Sequence, residues 1–345
     1  MRNVLCAALI TVVSVACAAA EPAAQPAPGS RQEAIQKTLA NINAELQKYG
    51  GGSWEEWGNK LAPFREAARK RTPPKNGLRI RGDEWQFIVL DRMDNDAARK
   101  AIVHFDRQLK ARGIDLIVVP LPGKLSIYPD FVFSDVACDR LAAVAAKRMM
   151  KELLENDVEV VDLFTIYRDK RLETQDKTPL YYYSEDTHWR NLAAQMAGAQ
   201  IAERLKRYDF VQKALAAGNR YSSKVEKRQT TKNNPDTVLA VYDSRTNAYH
   251  PDEPGDAASP IVITGDSYSK YNCQQGAHLA AQAALHIGLP LTYESTEGLS
   301  SDVPVLMARL QKEKNYLVNR KVFVWTWIWM SYQGRKDWAP VDLGQ

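Results

Sequence analysis

Short apolar runs alternate with amphipathic stretches along most of the chain, and this alternation predicts its secondary structure. Over residues 31–49, Ile35, Leu39, Ile42 and Leu46 recur at helical spacing and form one apolar stripe. Apolar runs that are too short for helices predict strands. The predicted helices cover residues 31–49, 94–112, 135–156, 190–208, 273–287 and 303–319. The predicted strands cover residues 114–120, 158–163, 237–242, 261–264 and 321–329, and a further apolar run covers 85–90.

Strands that alternate with helices predict an α/β fold with an open, mostly parallel sheet covered by helices on both faces. The predicted strand at 114–120 is apolar at most positions, which is typical of a strand buried on both faces. The sequence contains no evident repeat and no glycine-rich phosphate-binding loop. Ligands of such sheets bind beyond the carboxyl ends of the strands, so polar residues at those ends are the first candidates for a site.

The first 20 residues have the pattern of a signal peptide. Arg2 precedes an apolar segment over residues 4–15, and three alanines before Glu21 offer a cleavage site. This segment is shorter than the about 20 residues of a membrane span, and an uncleaved anchor is the alternative interpretation. Residues 21–30 are rich in Pro and Ala and predict a flexible linker. We therefore expect one domain over residues 31–345, which begins with the amphipathic helix.

Composition and charge exclude few classes of function. Hydrophobic residues make up 45% and charged residues 25% of the chain, as in ordinary globular proteins. The formal net charge of +5 becomes +4 without Arg2, the one charged residue of the signal, and this mild excess suits a polyanionic partner without requiring one. An exported protein without a nucleic-acid-binding motif is not expected to bind nucleic acid.

The cysteines and histidines do not have the spacing of a metal site, so we predict neither a metal nor another cofactor. Cys138 and Cys273 are the two cysteines that follow the signal. In an oxidising compartment they either form a disulfide or are two small buried apolar residues, and the sequence leaves both open.

Two polar motifs supply the three groups of a Ser-His-Asp site. Asp186 and His188 are separated by one residue in a polar loop, and Ser267 follows the predicted strand at 261–264. His188 is the natural base for a serine hydroxyl near neutral pH, and Asp186 can orient its ring and stabilise the imidazolium. The alternative is that each motif is an ordinary turn or loop.

An acyl-transfer site also needs donors for the oxyanion that forms during attack. The backbone N–H of Ser267 is the first candidate. The side chains of Tyr268, Tyr271 and Asn272 are candidates for a second donor.

Four segments resemble the SGNH-hydrolase-like domain of the alginate O-acetyltransferases, the AlgJ/AlgX family. They are Tyr-Ser-Glu-Asp-Thr-His-Trp at 183–189, Val-Ile-Thr-Gly-Asp-Ser-Tyr-Ser at 262–269, a strand-end loop with Lys124 and a Tyr-Pro pair at 128–129, and Gly-Asp-Glu-Trp-Gln-Phe at 82–87. The resemblance covers roughly residues 75–330. It implies an SGNH-like catalytic domain in which Ser267 is the nucleophile, His188 the base and Asp186 its orienting partner.

The resemblance also implies an activity and a compartment. We expect a periplasmic O-acetyltransferase that moves an acetyl group through an acetyl-serine intermediate onto hydroxyls of an alginate-like exopolysaccharide, with a membrane-bound O-acyltransferase as the acetyl source. Because the chain ends near residue 345, we expect no additional carbohydrate-binding domain, which favours the AlgJ-like branch. A polysaccharide acetylesterase with the same three residues is one alternative. A polysaccharide-binding or assembly protein with a vestigial triad is the other.

Two more features of the sequence supply candidate contacts for a substrate. Trp325, Trp327 and Trp329 alternate, so they point to one face of the last strand. A buried strand is favoured over a sugar-stacking platform, which leaves Trp329, nearest the carboxyl end, as a candidate contact together with Lys124. The basic segment at 204–232 either attracts a uronate polymer or is a solvated surface insertion, and the insertion is favoured.

Overall fold

The structure is a computed structural model. It describes residues 29–49, 78–80, 85–87, 96–128, 141–175, 177, 179–181, 187–229, 235–251, 254–296, 302–329, 332 and 338–344. The predicted signal peptide, most of the predicted linker, Cys138 and Asp186 lie outside these residues. The signal, the linker and the Cys138–Cys273 alternatives therefore stay predictions.

A parallel sheet forms the centre of the fold, as the sequence predicts; it has five strands, of which the one at Thr292–Ser295 was not predicted. In spatial order its strands are β4 (Glu159–Val160), β3 (Asp115–Leu121), β9 (Val322–Ile328), β7 (Ile261–Gly265) and β8 (Thr292–Ser295), so the last strand of the chain lies in the middle. The register places Val324 beside Ile117 on one side and Ile263 on the other.

Two antiparallel pairs lie outside this sheet: β1 (Leu78–Ile80) with β2 (Trp85–Phe87), and β5 (Tyr221–Gln229) with β6 (Pro235–Asp243). The strand predicted at 237–242 is present as β6, but it belongs to this hairpin and not to the parallel sheet. Its partner β5 falls in the segment that we interpreted as a solvated insertion. Most of its described side chains are exposed, so the segment has no apolar run that predicts a strand.

The six predicted helices differ from prediction mainly at their ends, whereas four further helices, Lys124–Ile127, Leu163–Thr174, Asp209–Ala216 and Ser267–Lys270, were not predicted. In chain order the helices are α1 (Arg31–Tyr49), α2 (Asp96–Lys110), α3 (Lys124–Ile127), α4 (Leu141–Glu155), α5 (Leu163–Thr174), α6 (Asn191–Leu205), α7 (Asp209–Ala216), α8 (Ser267–Lys270), α9 (Leu279–Ile287) and α10 (Val303–Lys314). The helix predicted over 273–287 is interrupted: a short 3₁₀ turn, Cys273–Gln275, ends at Gly276 with a φ of 58°, and α9 follows. The strand predicted over 158–163 ends early because Asp162 caps α5, where its side chain accepts the N–H of Phe164 at 3.0 Å.

The sheet separates two hydrophobic cores. Side chains such as Ile117, Val119 and Val324 face α5, α6 and α9, whereas alternate residues such as Val118 and Trp325 face α1, α2, α4 and α10. Helices therefore cover both faces, as predicted. Among the described residues, no helix combines the length and the apolar character that crossing a membrane requires.

The tryptophans at 325, 327 and 329 all lie in the second of these cores, so the buried-strand interpretation is the one the structure supports. The Trp325 ring lies edge-on to Phe105 of α2, with ring centroids 5.3 Å apart.

Candidate active site

Strand β7 ends at Gly265, Asp266 follows it as the capping residue of α8, and Ser267 is the first residue of that helix. Ser267 therefore lies at the carboxyl edge of the sheet, and it is exposed. The turn that presents it is held by Asp266, which is 2% exposed. Asp266 Oδ1 accepts the N–H of Tyr268 at 3.0 Å, and Oδ2 accepts the N–H of Ile328 at 2.7 Å. The carboxylate thus caps α8 and ties the serine turn to the end of β9.

Beneath this turn, the backbone of Gly265 lies close to two side-chain hydroxyl groups. A Cβ atom at Gly265 would collide with the hydroxyl oxygens of Ser269 and Thr326. Ser269 Oγ lies 2.5 Å from Thr326 Oγ1, and the Thr326 hydroxyl in turn donates to the carbonyl oxygen of Thr264 at 3.0 Å. Glycine at 265 therefore lets α8 pack directly on β9, which fixes the direction in which Ser267 faces.

His188 lies within hydrogen-bond distance of the serine: its Nε2 is 3.0 Å from Ser267 Oγ. The histidine is half-buried and is followed by the fully buried Trp189. The N–H of Arg190 donates to the carbonyl oxygen of Leu180 at 2.8 Å, which anchors the loop where it enters α6. The two motifs, 79 residues apart in the chain, therefore meet at one edge of the sheet, as the triad hypothesis requires.

The two tyrosines of the serine segment support the histidine ring. Tyr271 stacks on it with centroids 4.5 Å apart and an interplanar angle of 13°, and Tyr268 contacts it at 4.6 Å. The Tyr268 hydroxyl donates to the carbonyl oxygen of Thr187 at 2.7 Å. Its single proton is thus committed in this arrangement, which favours a supporting role for Tyr268 over that of oxyanion donor.

Asp186, the predicted partner of His188, lies outside the described residues, and its role stays a prediction.

Asn272 lies beside the site in the left-handed backbone region, with φ 72°, and is 6% exposed. Neither atom of its side-chain amide has a hydrogen-bond partner among the residues that the structure describes. A buried, unpaired amide is costly, so a ligand or a rearranged loop that satisfied it would be stabilised.

The two predicted substrate contacts are both buried. Lys124 begins α3 beyond the carboxyl end of β3 and is 3% exposed. Trp329 is also 3% exposed, and its ring stacks on Tyr332 with centroids 5.0 Å apart. This packing favours a core role for Trp329, since the ring presents no open face to a sugar.

Asp266 is the residue of this site that sequence reasoning did not single out, although the signal was present. Aspartate is one of the preferred residues at the start of a helix, and Asp266 stands between a predicted strand and Ser267. Its second bond, to Ile328, depends on the strand order and could not be read from the chain.

A parallel α/β sheet that presents a serine and a histidine together at the carboxyl end of a central strand is the arrangement of SGNH hydrolase-like proteins. The sequence matches the profile of the family described as "SGNH hydrolase-like domain, acetyltransferase AlgX" over residues 83–327, and the chain belongs to this family.

Two solved structures are similar in fold. The O-acetyltransferase domain of Pseudomonas putida AlgJ has a TM-score of 0.51 and 16% identity, over 74% of this chain and 92% of that one. Pseudomonas aeruginosa AlgX has a TM-score of 0.52 and 16% identity, over 71% of this chain and 61% of that one. Comparison with curated protein sequences gives no match. The family points to an O-acetyltransferase, and the two structures agree with this in fold.

Proposed function

We propose that the protein is a periplasmic O-acetyltransferase that moves an acetyl group through acetyl-Ser267 onto hydroxyls of an alginate-like exopolysaccharide. The observation that carries the proposal is the 3.0 Å distance between His188 Nε2 and Ser267 Oγ at the carboxyl edge of the sheet. Membership of the AlgX acetyltransferase family supports acetyl as the transferred group.

The reaction has two steps that use the same base. His188 takes the proton of Ser267 as Oγ attacks the acetyl carbonyl carbon, and it gives that proton to the leaving group of the donor. In the second step His188 takes the proton of a sugar hydroxyl, whose oxygen attacks the acetyl-serine; the proton then returns to Oγ. General base catalysis of this kind contributes about 10²- to 10⁴-fold. Asp186 would hold the ring proton on Nδ1, so that Nε2 carries no proton and can accept the one from Ser267.

Two groups are proposed to stabilise the oxyanion. The backbone N–H of Ser267 is the first, because it belongs to the attacking residue itself. The Asn272 amide is the second, supported by its lack of a partner within the described part of the chain. Because the amide is buried, this role requires the Asn272 side chain to turn towards Ser267 when substrate binds. Tyr271 remains a further candidate.

The acceptor decides between transfer and hydrolysis. An oriented hydroxyl can reach an effective concentration of about 10⁵–10⁸ M, far above that of water, so a bound sugar can outcompete water. A membrane-bound O-acyltransferase is the proposed acetyl source. Because Ser267 is exposed, water can also reach the intermediate, and an acetylesterase is therefore the second candidate function.

The test is incubation of the protein with an activated acetyl ester and unacetylated polymannuronate. Ser267→Ala is compared with Ser222→Ala, an exposed serine on β5. We expect acetylated polymer from the wild type and from Ser222→Ala, and none from Ser267→Ala. Free acetate without modified polymer would show an esterase. Equal activity of Ser267→Ala and the wild type would contradict the catalytic assignment.

A further inference from the structure

The side-chain amide of Asn191 joins three segments around the catalytic pair. Asn191 is the first residue of α6, three residues after His188, and it is fully buried. Its Nδ2 donates to the carbonyl oxygen of Ala277 at 2.8 Å. Its Oδ1 accepts the N–H of Leu239 in β6 at 2.7 Å and an N–H of Gln195 at 2.7 Å.

Two of these segments carry the active-site rings. His188 precedes Asn191, and Tyr271, which stacks on the His188 ring, begins the stretch that ends at Ala277. This stretch is closed internally, because the N–H of Ala277 donates to the carbonyl oxygen of Asn272 at 3.1 Å. A displacement of Ala277 from α6 would therefore move Tyr271 against the His188 ring.

The hairpin is fixed to the same stretch. The N–H of Val241 donates to the carbonyl oxygen of Gly276 at 3.0 Å, and a Cβ at Gly276 would lie only 2.7 Å from the Val241 carbonyl oxygen. Together with the bond from Asn191 to Leu239, this close contact places β6 beside the loop that follows Ser267. The hairpin and the loop are thus positioned as one unit against the start of α6.

We propose that Asn191 is a positioning residue that holds His188 at bonding distance from Ser267 and fixes the hairpin beside the site. The proposal rests on the proposed function only in taking His188 as the base. An amide is suited to this position because it donates and accepts at once, whereas an ionised aspartate only accepts and alanine does neither. A shift of about 1 Å in a catalytic group can cost about 10²-fold in rate.

Gln282 provides a matched control. It is also fully buried, and its Nε2 donates to the carbonyl oxygen of the same Leu239 at 2.8 Å, but from α9. Gln282→Ala removes a buried amide bond to the hairpin and leaves the bond between Asn191 and Ala277 in place.

The experiment compares Asn191→Ala, Asn191→Asp and Gln282→Ala in the full chain. Turnover of an activated acetyl ester and side-chain NMR of the histidines are both recorded; the chain has five histidines, and His188→Gln assigns the signal. We expect Asn191→Ala to lower kcat by about 10²-fold and to shift the His188 ring signals. Gln282→Ala should keep kcat and the His188 ring signals close to those of the wild type, even if it lowers the melting temperature as much as Asn191→Ala does.

Asn191→Asp gives a signature that general destabilisation does not. Its buried carboxyl can donate to Ala277 only when it is protonated, and burial favours the protonated form. Its activity relative to wild type should therefore rise as the pH falls, whereas that of Asn191→Ala should not. If Asn191→Ala fails to fold, the pH profile of Asn191→Asp decides alone. A ratio of Asn191→Asp activity to wild-type activity that does not change with pH then overturns the proposal.

Unchanged His188 signals in Asn191→Ala, or equal losses of turnover in Asn191→Ala and Gln282→Ala, would also overturn it. If the wild type shows no Ser267-dependent turnover, the proposed function fails. The NMR comparison then still tests the positioning role, because it requires no activity.

Discussion

Replacing Asp266 by alanine should weaken both the fold and the site. The change removes the acceptor for the N–H of Tyr268, a helix cap of the kind that contributes about 1 kcal/mol. It also leaves the N–H of Ile328 unpaired at a buried position, which costs about 1–3 kcal/mol. The free energy of unfolding should therefore fall by roughly 2–4 kcal/mol. Loss of both anchors frees the serine turn, so Ser267-dependent turnover should fall as well.

Asp162→Ala is the matched control for this prediction. Asp162 is also a capping aspartate after a strand, and it accepts the N–H groups of Phe164 and Thr165. It follows β4, at the edge of the sheet away from β7 and Ser267. Urea unfolding followed by tryptophan fluorescence should show a loss of stability in both variants, whereas only Asp266→Ala should lose turnover. Wild-type turnover in Asp266→Ala, or an unchanged urea midpoint, would refute the reasoning.

Three further predictions concern stability. Gly198→Ala should cost roughly 1–3 kcal/mol in thermal unfolding, because its Cβ would lie 2.8 Å from the backbone nitrogen of Ala283 where α6 meets α9; an unchanged melting temperature would contradict it. Glu159→Gln should cost roughly 3–5 kcal/mol in urea unfolding, since it weakens a buried pair in which both carboxylate oxygens accept from Arg207 at 2.7 Å; no loss would count against it. Burial lowers the pKa of His250 from 6.5 to about 4, so the unfolded chain binds a proton there that the folded one does not. The stability that this neutral ring contributes is therefore fully present above pH 6.5 and is lost as the pH falls towards 4, by up to about 3 kcal/mol. His250→Phe should reduce the slope of the unfolding free energy against pH in this range, and an unchanged slope would contradict the prediction.

Sequence periodicity predicted most of the elements that face a core, but it missed α5 and β8, which have few apolar positions. The helix over 31–49 has its predicted bounds, because its apolar stripe packs on the sheet layer and Ser30 accepts the N–H of Glu33 near its start. The strands β7 and β9 were predicted because nearly every position in them is apolar. By contrast, β5 was missed because its side chains are mostly polar and exposed, so its partner β6 defines it and its own sequence does not.

The sequence predicted that Ser267 and His188 belong to one site, but it did not predict the geometry that brings them together. Local spacing placed Ser267 at a strand end and His188 in a loop, yet their 3.0 Å contact depends on how α6 and β7 pack. The supporting bonds depend on the fold in the same way, since Asp266 reaches β9 and Asn191 reaches β6. The Trp329 side chain was open to two interpretations because alternation shows which face a residue points to and not what covers that face.

Direct detection of acetyl-Ser267 tests the central claim. The protein is mixed with an activated acetyl ester, quenched in acid within the first turnovers, and digested for peptide mass spectrometry. We predict the mass of one acetyl group on the peptide that contains Ser267, lost when polymannuronate is added and never formed in Ser267→Ala. Acetyl transfer to the polymer with no acetyl at Ser267, or with the acetyl group on another residue, would contradict the account.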